Sequence, residues 1–196
     1  VEYYETTAHA GARPSHAEWQ GRVFKIHGSS PDYPNFVDST GYGSGSGLCG
    51  WNCRHSFYPY WPGISSPAYS KERLAEYDRA KYSYNGDMLT DYECSQIQRA
   101  YEREIREIKR ILSSYDAAMQ ESRSEAQIQC IQEDFTSESV KLKKKERELK
   151  NFCNDTNRSY DSARTQVVAY KDSEGRIVNF GRSTAQKAVW ANKKSN

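Results

Sequence analysis

Two capping boxes, each followed by a long apolar stripe, constrain this chain more than any other feature. Thr90-Asp91-Tyr92-Glu93 and Ser122-Arg123-Ser124-Glu125 each place a hydroxyl three residues before a glutamate. At that spacing the hydroxyl accepts from a first-turn amide while the glutamate reaches back to the cap amide. Behind the first box, Ile97, Tyr101, Ile105, Ile108, Leu112 and Tyr115 step by threes and fours. This is one side of a helix of about thirty residues, about 45 Å long. Behind the second box run Ile128, Ile131, Phe135, Leu142, Leu149 and Phe152, with Glu138 and Lys145 interrupting the seam. Two capped helices of matched length joined by a short turn predict an antiparallel helical hairpin. Each stripe alone would leave apolar surface in water.

The composition changes near residue 65. Before it, Gly, Pro, Ser, Tyr and Trp dominate; after it, Glu, Lys, Arg and Gln. The first part predicts short strands at 1–5, 22–26 and 56–60 and a helical turn at 15–20. Residues 27–47 carry Gly28, Pro31, Pro34, Gly41, Gly43, Gly45 and Gly47 and predict a long loop. Its end, GYGSGSG, lacks the Lys and the following helix of a phosphate loop and is expected to be a flexible linker. Residues 70–82 predict a short helix. The tail predicts strands at 165–170 and 176–180 around a turn at 172–175, then a helix at 183–191. The fold class is therefore α+β: a small irregular loop-rich domain with short strands plus a long antiparallel helical hairpin. The expected partition is a motif domain over 1–65, the hairpin over 66–160, and a C-terminal segment over 161–196 that packs on the motif domain.

Apolar residues make up 36% of the 196, against about 45–50% in ordinary globular chains, while aromatics reach 13%. That predicts a modest core and much polar surface. A net charge of +2 makes the chain no polycation, so any nucleic-acid contact must come from a local run. No stretch approaches the roughly 18 apolar residues of a membrane helix, so no membrane partner is expected. Five cysteines at irregular spacing argue against a secreted disulfide scaffold. Cys94, Cys130 and Cys153 fall in helical patterns as core or flanking residues. The chain begins at Val1, which is expected of a processed product or an excised domain.

Two segments collect the chemistry. One is residues 9–21, HAGARPSHAEWQG; the other is residues 49–55, CGWNCRH. His9, His16, Cys49, Cys53 and His55 offer zinc-type ligands. Their spacing is not that of a recognised zinc motif, so the expectation is that no cofactor is needed, with zinc as the alternative. The competing view is that these groups hydrogen-bond across a strand-poor domain and fix its loops. Cys53 beside His55 also permits a thiolate nucleophile with a nearby base. Arg13 and Arg54 with the histidines permit a phosphate pocket. The strongest local positive run is residues 141–150, where Lys141, Lys143, Lys144, Lys145 and Arg147 are candidate contacts to DNA phosphates. Intrahelical ion pairs are the simpler account of that run. Arg99, Arg103, Arg106, Lys109 and Arg110, alternating with Glu102, Glu104 and Glu107, predict a charged solvent face.

Residues 9–24 and 49–63 together resemble the phage minor capsid protein 2 family. They are also similar, distantly, to the Mu F-like head morphogenesis domain. Arg13, His16 and Gly21 match that wider group's first element. Asn52, Cys53, Arg54 and the later Pro59 match its second, with His55 standing where the group has another Cys. His9, Trp19 and Gly50 lie within the same two stretches. Gln98 to Arg106, residues 140–142 and residues 164–182 continue the likeness. The resemblance implies a non-enzymatic virion protein, made in the bacterial host cytoplasm and associated with the portal and other head proteins. It implies roles in head assembly and in DNA packaging or ejection, with double-stranded DNA or a second copy as further partners. The rival reading is a metal- or Cys/His-dependent hydrolase or nuclease domain, toxin-like, carried by a phage head protein.

Overall fold

The computed structural model describes residues 2–167, 170, 171, 177, 178 and 180–194. The chain divides into two compact units, Val1–Ser95 and Gln96–Asn196. The compositional border near residue 65 lies inside the first unit.

The first unit opens with β1 (Tyr3–Thr6), α1 (Pro14–Ala17) and β2 (Val23–Lys25). Next come α2 (Phe36–Thr40), β3 (Phe57–Tyr60) and α3 (Lys71–Asp78). The three strands form one antiparallel sheet in the order β2-β1-β3, with Tyr4 opposite Phe24 on one side and Pro59 on the other. Pro59 sits on an edge strand, where its missing N–H costs no ladder bond. Trp19, Phe24, Phe36 and Leu48 form the buried core, with Tyr4, Cys53 and Phe57 packed against it. The expected strands are present within two residues, and the first helical turn is present but ends three residues early, at Ala17. A hairpin of β4 (Tyr82–Tyr84) and β5 (Asp87–Leu89) was not expected. Asn85-Gly86, both at positive φ, forms its turn. That dipeptide is a strong hairpin signal. It also explains why α3 stops at Asp78 rather than running on to residue 82.

The predicted long loop is not one. Asn35 caps α2 by accepting from the Asp38 amide, and Gly41 ends the helix at φ 63. Nor is GYGSGSG a flexible linker. It is a chain of hydrogen-bonded turns that closes on α2, with the Leu48 amide donating to the Thr40 carbonyl at 2.9 Å. The glycines are there because the backbone doubles onto itself. A Cβ on Gly47 would stand 1.9 Å from the Gly41 carbonyl oxygen.

The second unit is built on most of α4 (Asp91–Glu121) and all of α5 (Glu125–Asp155), helices of 31 residues each. Thr90 and Glu93 form the expected capping box, with bonds of 3.2 and 2.8 Å. The second cap is Ser124, not Ser122, because α5 starts two residues later than the box predicts. The apolar stripe of α5 is buried as expected at Phe135, Leu142, Leu149 and Phe152. On α4 the expected Ile105 and Leu112 are fully buried, but Gln98, Glu102, Lys109 and Asp116 are buried beside them. Glu102 and Lys109 therefore leave the predicted solvent face. Their partners lie later in the chain. Lys109 donates to the Thr165 carbonyl and pairs with Glu146 at 3.3 Å. Gln98 meets the Ser159 carbonyl and Arg158.

Residues 162–165 form a short 3-10 turn, which takes in only Thr165 of the strand expected over 165–170. Tyr170–Lys171 (β6) pairs with Ile177–Val178 (β7). The expected turn at 172–175 lies outside the described residues. The final helix, α6 (Arg182–Lys194), packs on the helical pair. Asn192 donates to the Ser139 carbonyl at 2.8 Å, and Thr184 and Lys187 both bond to Asp116. Burial alone would push the Asp116 carboxyl up. Those two partners outweigh it and hold the group below the usual carboxylate range. Cys94 and Cys153 are buried, whereas Cys130 is exposed.

Gly47→Ala is expected to destabilise the first unit by about 3 kcal/mol, because the atoms its Cβ would meet are all backbone of Gly41. Urea unfolding followed by tryptophan fluorescence measures this. A loss under about 0.5 kcal/mol would mean that the turn is not tightly folded.

Candidate functional site

The two chemistry-bearing segments meet in the first unit. Pro14 starts α1, and the Arg13 carbonyl accepts from the His16 amide. This aims His16 inward, where only 2% of it is exposed. The other segment arrives through tight turns. Cys49 and Asn52 sit at φ 59 and 54, in the left-handed region. Gly50 permits a close approach, since a Cβ there would stand 2.5 Å from the Gly45 carbonyl oxygen. The turns deliver Cys53 and His55 onto His16.

Three donor atoms then converge. His16 Nδ1 lies 3.4 Å from His55 Nδ1. Cys53 Sγ lies 3.7 Å from the first and 3.6 Å from the second. The remote ring nitrogens are also held: His16 Nε2 by the Ser46 carbonyl at 2.9 Å, His55 Nε2 by Gln20 Oε1 at 3.2 Å. Gln20 Oε1 further accepts from the His9 amide at 3.1 Å. Trp19 packs against both rings, with centroids 4.6 and 4.8 Å away. His9 stacks on His55 at 4.3 Å. Burial, then the charges of His9, His16, Arg13 and Arg54, pull His55 down to about 4. Burial also lowers His16, against the pull of its Ser46 bond. Both rings are therefore neutral at neutral pH.

The family-motif residues fall into three groups. His9, His16, Trp19, Cys53 and His55 form the cluster itself. Gly21, Gly50, Asn52 and Pro59 serve the backbone; Gly21 sits at φ 64 with Leu74 and Tyr69 against it. Arg13 donates to the Trp51 carbonyl at 2.6 Å, tying the two segments, while Arg54 is exposed. An arginine spent on a backbone carbonyl weakens the phosphate-pocket reading. Of the five metal-ligand candidates, His16, Cys53 and His55 are mutually within reach. Cys49 contacts the His55 carbonyl through Sγ at 3.6 Å. Gln20 and Ser46 were not singled out in the sequence, and nothing in their residue types marks them; only the fold puts their oxygens behind the rings.

The positive run lies in the second unit. Lys141 pairs with Glu138 at 2.5 Å, and Lys144 with Glu148 at 3.9 Å. Lys145 bridges to Glu104 at 2.9 Å and Glu148 at 3.2 Å. Among the described residues, Lys143 and Arg147 have no ion pair. They line a groove formed mainly by α5 together with Lys144, Glu146, Lys150 and Asn154, with Asn192 of α6 at its side. No helix among the described residues is long and apolar enough to cross a membrane.

Residues 1–154 match the profile of the phage minor capsid protein 2 family. With the motif cluster and the helical pair both inside that span, the chain belongs to this family. It is 36% identical over 108 residues to a structural protein of Lactococcus phage LL-H, covering 53% of this chain and 26% of the relative. To a structural protein of Lactococcus phage mv4 it is 37% identical over 80 residues, covering 41% and 55% respectively. The chain thus spans about a quarter and about half of the curated relatives it matches. No solved structure matches it.

Gln20→Leu is expected to cost about 2 kcal/mol of stability, since it strips the acceptor from His55 and from the His9 amide. The exposed Arg54→Ala is expected to stay within about 0.5 kcal/mol of the parent. Equal denaturation midpoints for the two variants would show that the Gln20 bonds do not organise the cluster.

Proposed function

We propose that this chain is a portal-associated head protein that aids head assembly and DNA packaging or ejection by architecture rather than catalysis. The observation that carries the reading is the family match over residues 1–154, which includes both motif segments. The relatives' description as structural proteins supports a virion location and contacts with other head proteins. The internal bonding of the cluster supports a non-catalytic role. Its imidazoles are tied from behind, Arg13 is engaged with backbone, and Trp19 covers the rings. The helical pair, with its charged outer face, is the element we assign to docking on the portal or on another copy.

Stepwise dissociation of purified virions, followed by quantitative mass spectrometry, checks the portal placement. The chain is expected to stay with the portal-containing vertex fraction at few copies per particle. Recovery from portal-free shell fragments in amounts like those of the main shell protein would overturn it.

The groove on α5 supports DNA contact as part of this role. Lys143 and Arg147 are the cations best able to meet phosphates, because Lys141 and Lys145 already hold carboxylates. The double variant Lys143→Glu, Arg147→Glu is expected to weaken double-stranded DNA binding roughly tenfold or more at low salt and to flatten its salt dependence. A parent chain that does not bind DNA, or a variant that binds equally well, would remove DNA from the reading.

A further inference from the structure

The donor triangle of His16, Cys53 and His55 has the dimensions of a metal's coordination shell. Zinc takes imidazole nitrogen at about 2.05 Å and thiolate sulfur at about 2.3 Å. In a tetrahedron those bonds space two nitrogens about 3.4 Å apart, and nitrogen and sulfur about 3.6 Å apart. The edges here are 3.4, 3.6 and 3.7 Å.

Proton bookkeeping points the same way. The Ser46 carbonyl has no hydrogen to give, so His16 Nε2 is the donor in that bond. Gln20 Oε1 accepts from the His9 amide, which identifies it as the oxygen of that side chain. His55 Nε2 must then donate to it as well. With Nε2 of each ring engaged by a carbonyl oxygen, the Nδ1 atoms are the nitrogens that face each other and Cys53. Between them stands one thiol with one proton. A cation resolves this arrangement. Remote nitrogens bonded to carbonyl oxygens are also the usual second shell of metal-bound histidines.

We propose that His16 Nδ1, His55 Nδ1 and Cys53 Sγ bind one zinc ion, with Cys49 Sγ as the fourth ligand. Cys49 and Cys53 share an acceptor, approaching the His55 carbonyl oxygen at 3.6 and 3.9 Å. Cys49 Sγ stands outside the three converged atoms, so it joins the set only by rotation of its side chain. Both thiols release their protons to solvent on binding, and the two thiolates neutralise the dication. Four protein ligands make a closed, structural centre rather than one with an open position for substrate. The ion would clamp α1 to the 49–55 turns. This assignment does not depend on where in the virion the protein resides.

Metal analysis and cobalt substitution of the full chain test it. The chain, loaded with zinc and freed of excess, is expected to hold one zinc per molecule. Cobalt in its place is expected to give tetrahedral d–d bands and a thiolate charge-transfer band. Cys49→Ser and Cys53→Ser should each remove about half of that charge-transfer intensity, while Cys130→Ser leaves it intact. Should either cluster variant fail to fold, the parent still decides the matter: chelation must lower its Tm and added zinc must restore it. Zinc well below one per chain, a cobalt band indifferent to both cluster cysteines, or a Tm indifferent to chelation would each overturn the proposal.

Discussion

The first unit depends on two carbonyl oxygens that stand behind two imidazole rings. The Ser46 carbonyl and the Gln20 amide oxygen occupy the remote nitrogens of His16 and His55, and this turns the near nitrogens onto Cys53. A domain with one three-stranded sheet has few backbone ladders, so side chains must fix its loops. Here they do so through one buried polar cluster set against an aromatic core. Trp19 belongs to both, since it packs on the rings and joins Phe24, Phe36 and Leu48. The glycine-rich turns serve the same end, because a backbone that doubles on itself at Gly41, Gly47 and Gly50 can bring Ser46 and Cys53 to the same point. Partly satisfied polar clusters are costly in a low-dielectric interior. This one leaves His9 Nε2 and Gln20 Nε2 buried without partners, so its other bonds matter the more.

The second unit solves a different problem. The buried line of α4 alternates apolar residues with Gln98, Glu102, Lys109 and Asp116. A charge taken out of water needs a partner of good geometry, or it destabilises the fold by several kcal/mol. The partners come from Arg158, the 3-10 turn, Glu146 on α5, and Thr184 and Lys187 on α6. The helical pair is therefore incomplete without the segment that follows it. This is a reason for treating residues 96–194 as one cooperative body rather than as a rod with a loose tail.

Membership in the phage minor capsid protein 2 family gives these features a setting. Both the cross-tied motif domain and the helical pair fall within the span that carries that membership, apart from the last residue of α5. The likeness to two Lactococcus phage structural proteins covers only part of each.

Several features were determined by the sequence alone, for a local reason. Capping boxes and three-to-four spacing act over a single turn, so the helices and the face of α5 were legible from Thr90, Glu93 and the run from Phe135 to Phe152. The three strands of the first unit were legible by alternation and by turn residues at their ends, and Asn85-Gly86 carries the local signal of the β4–β5 hairpin. Only the tertiary structure decided the rest, because it turns on distant partners. Nothing near Glu102 or Lys109 reveals that residues more than thirty positions later will bury and pair them. Composition made GYGSGSG look flexible, whereas the close approach of Gly47 to Gly41 makes it tight. The histidines and cysteines were visible as types, but which three converge, and with which nitrogens free, was settled by the oxygens of Ser46 and Gln20 at their backs.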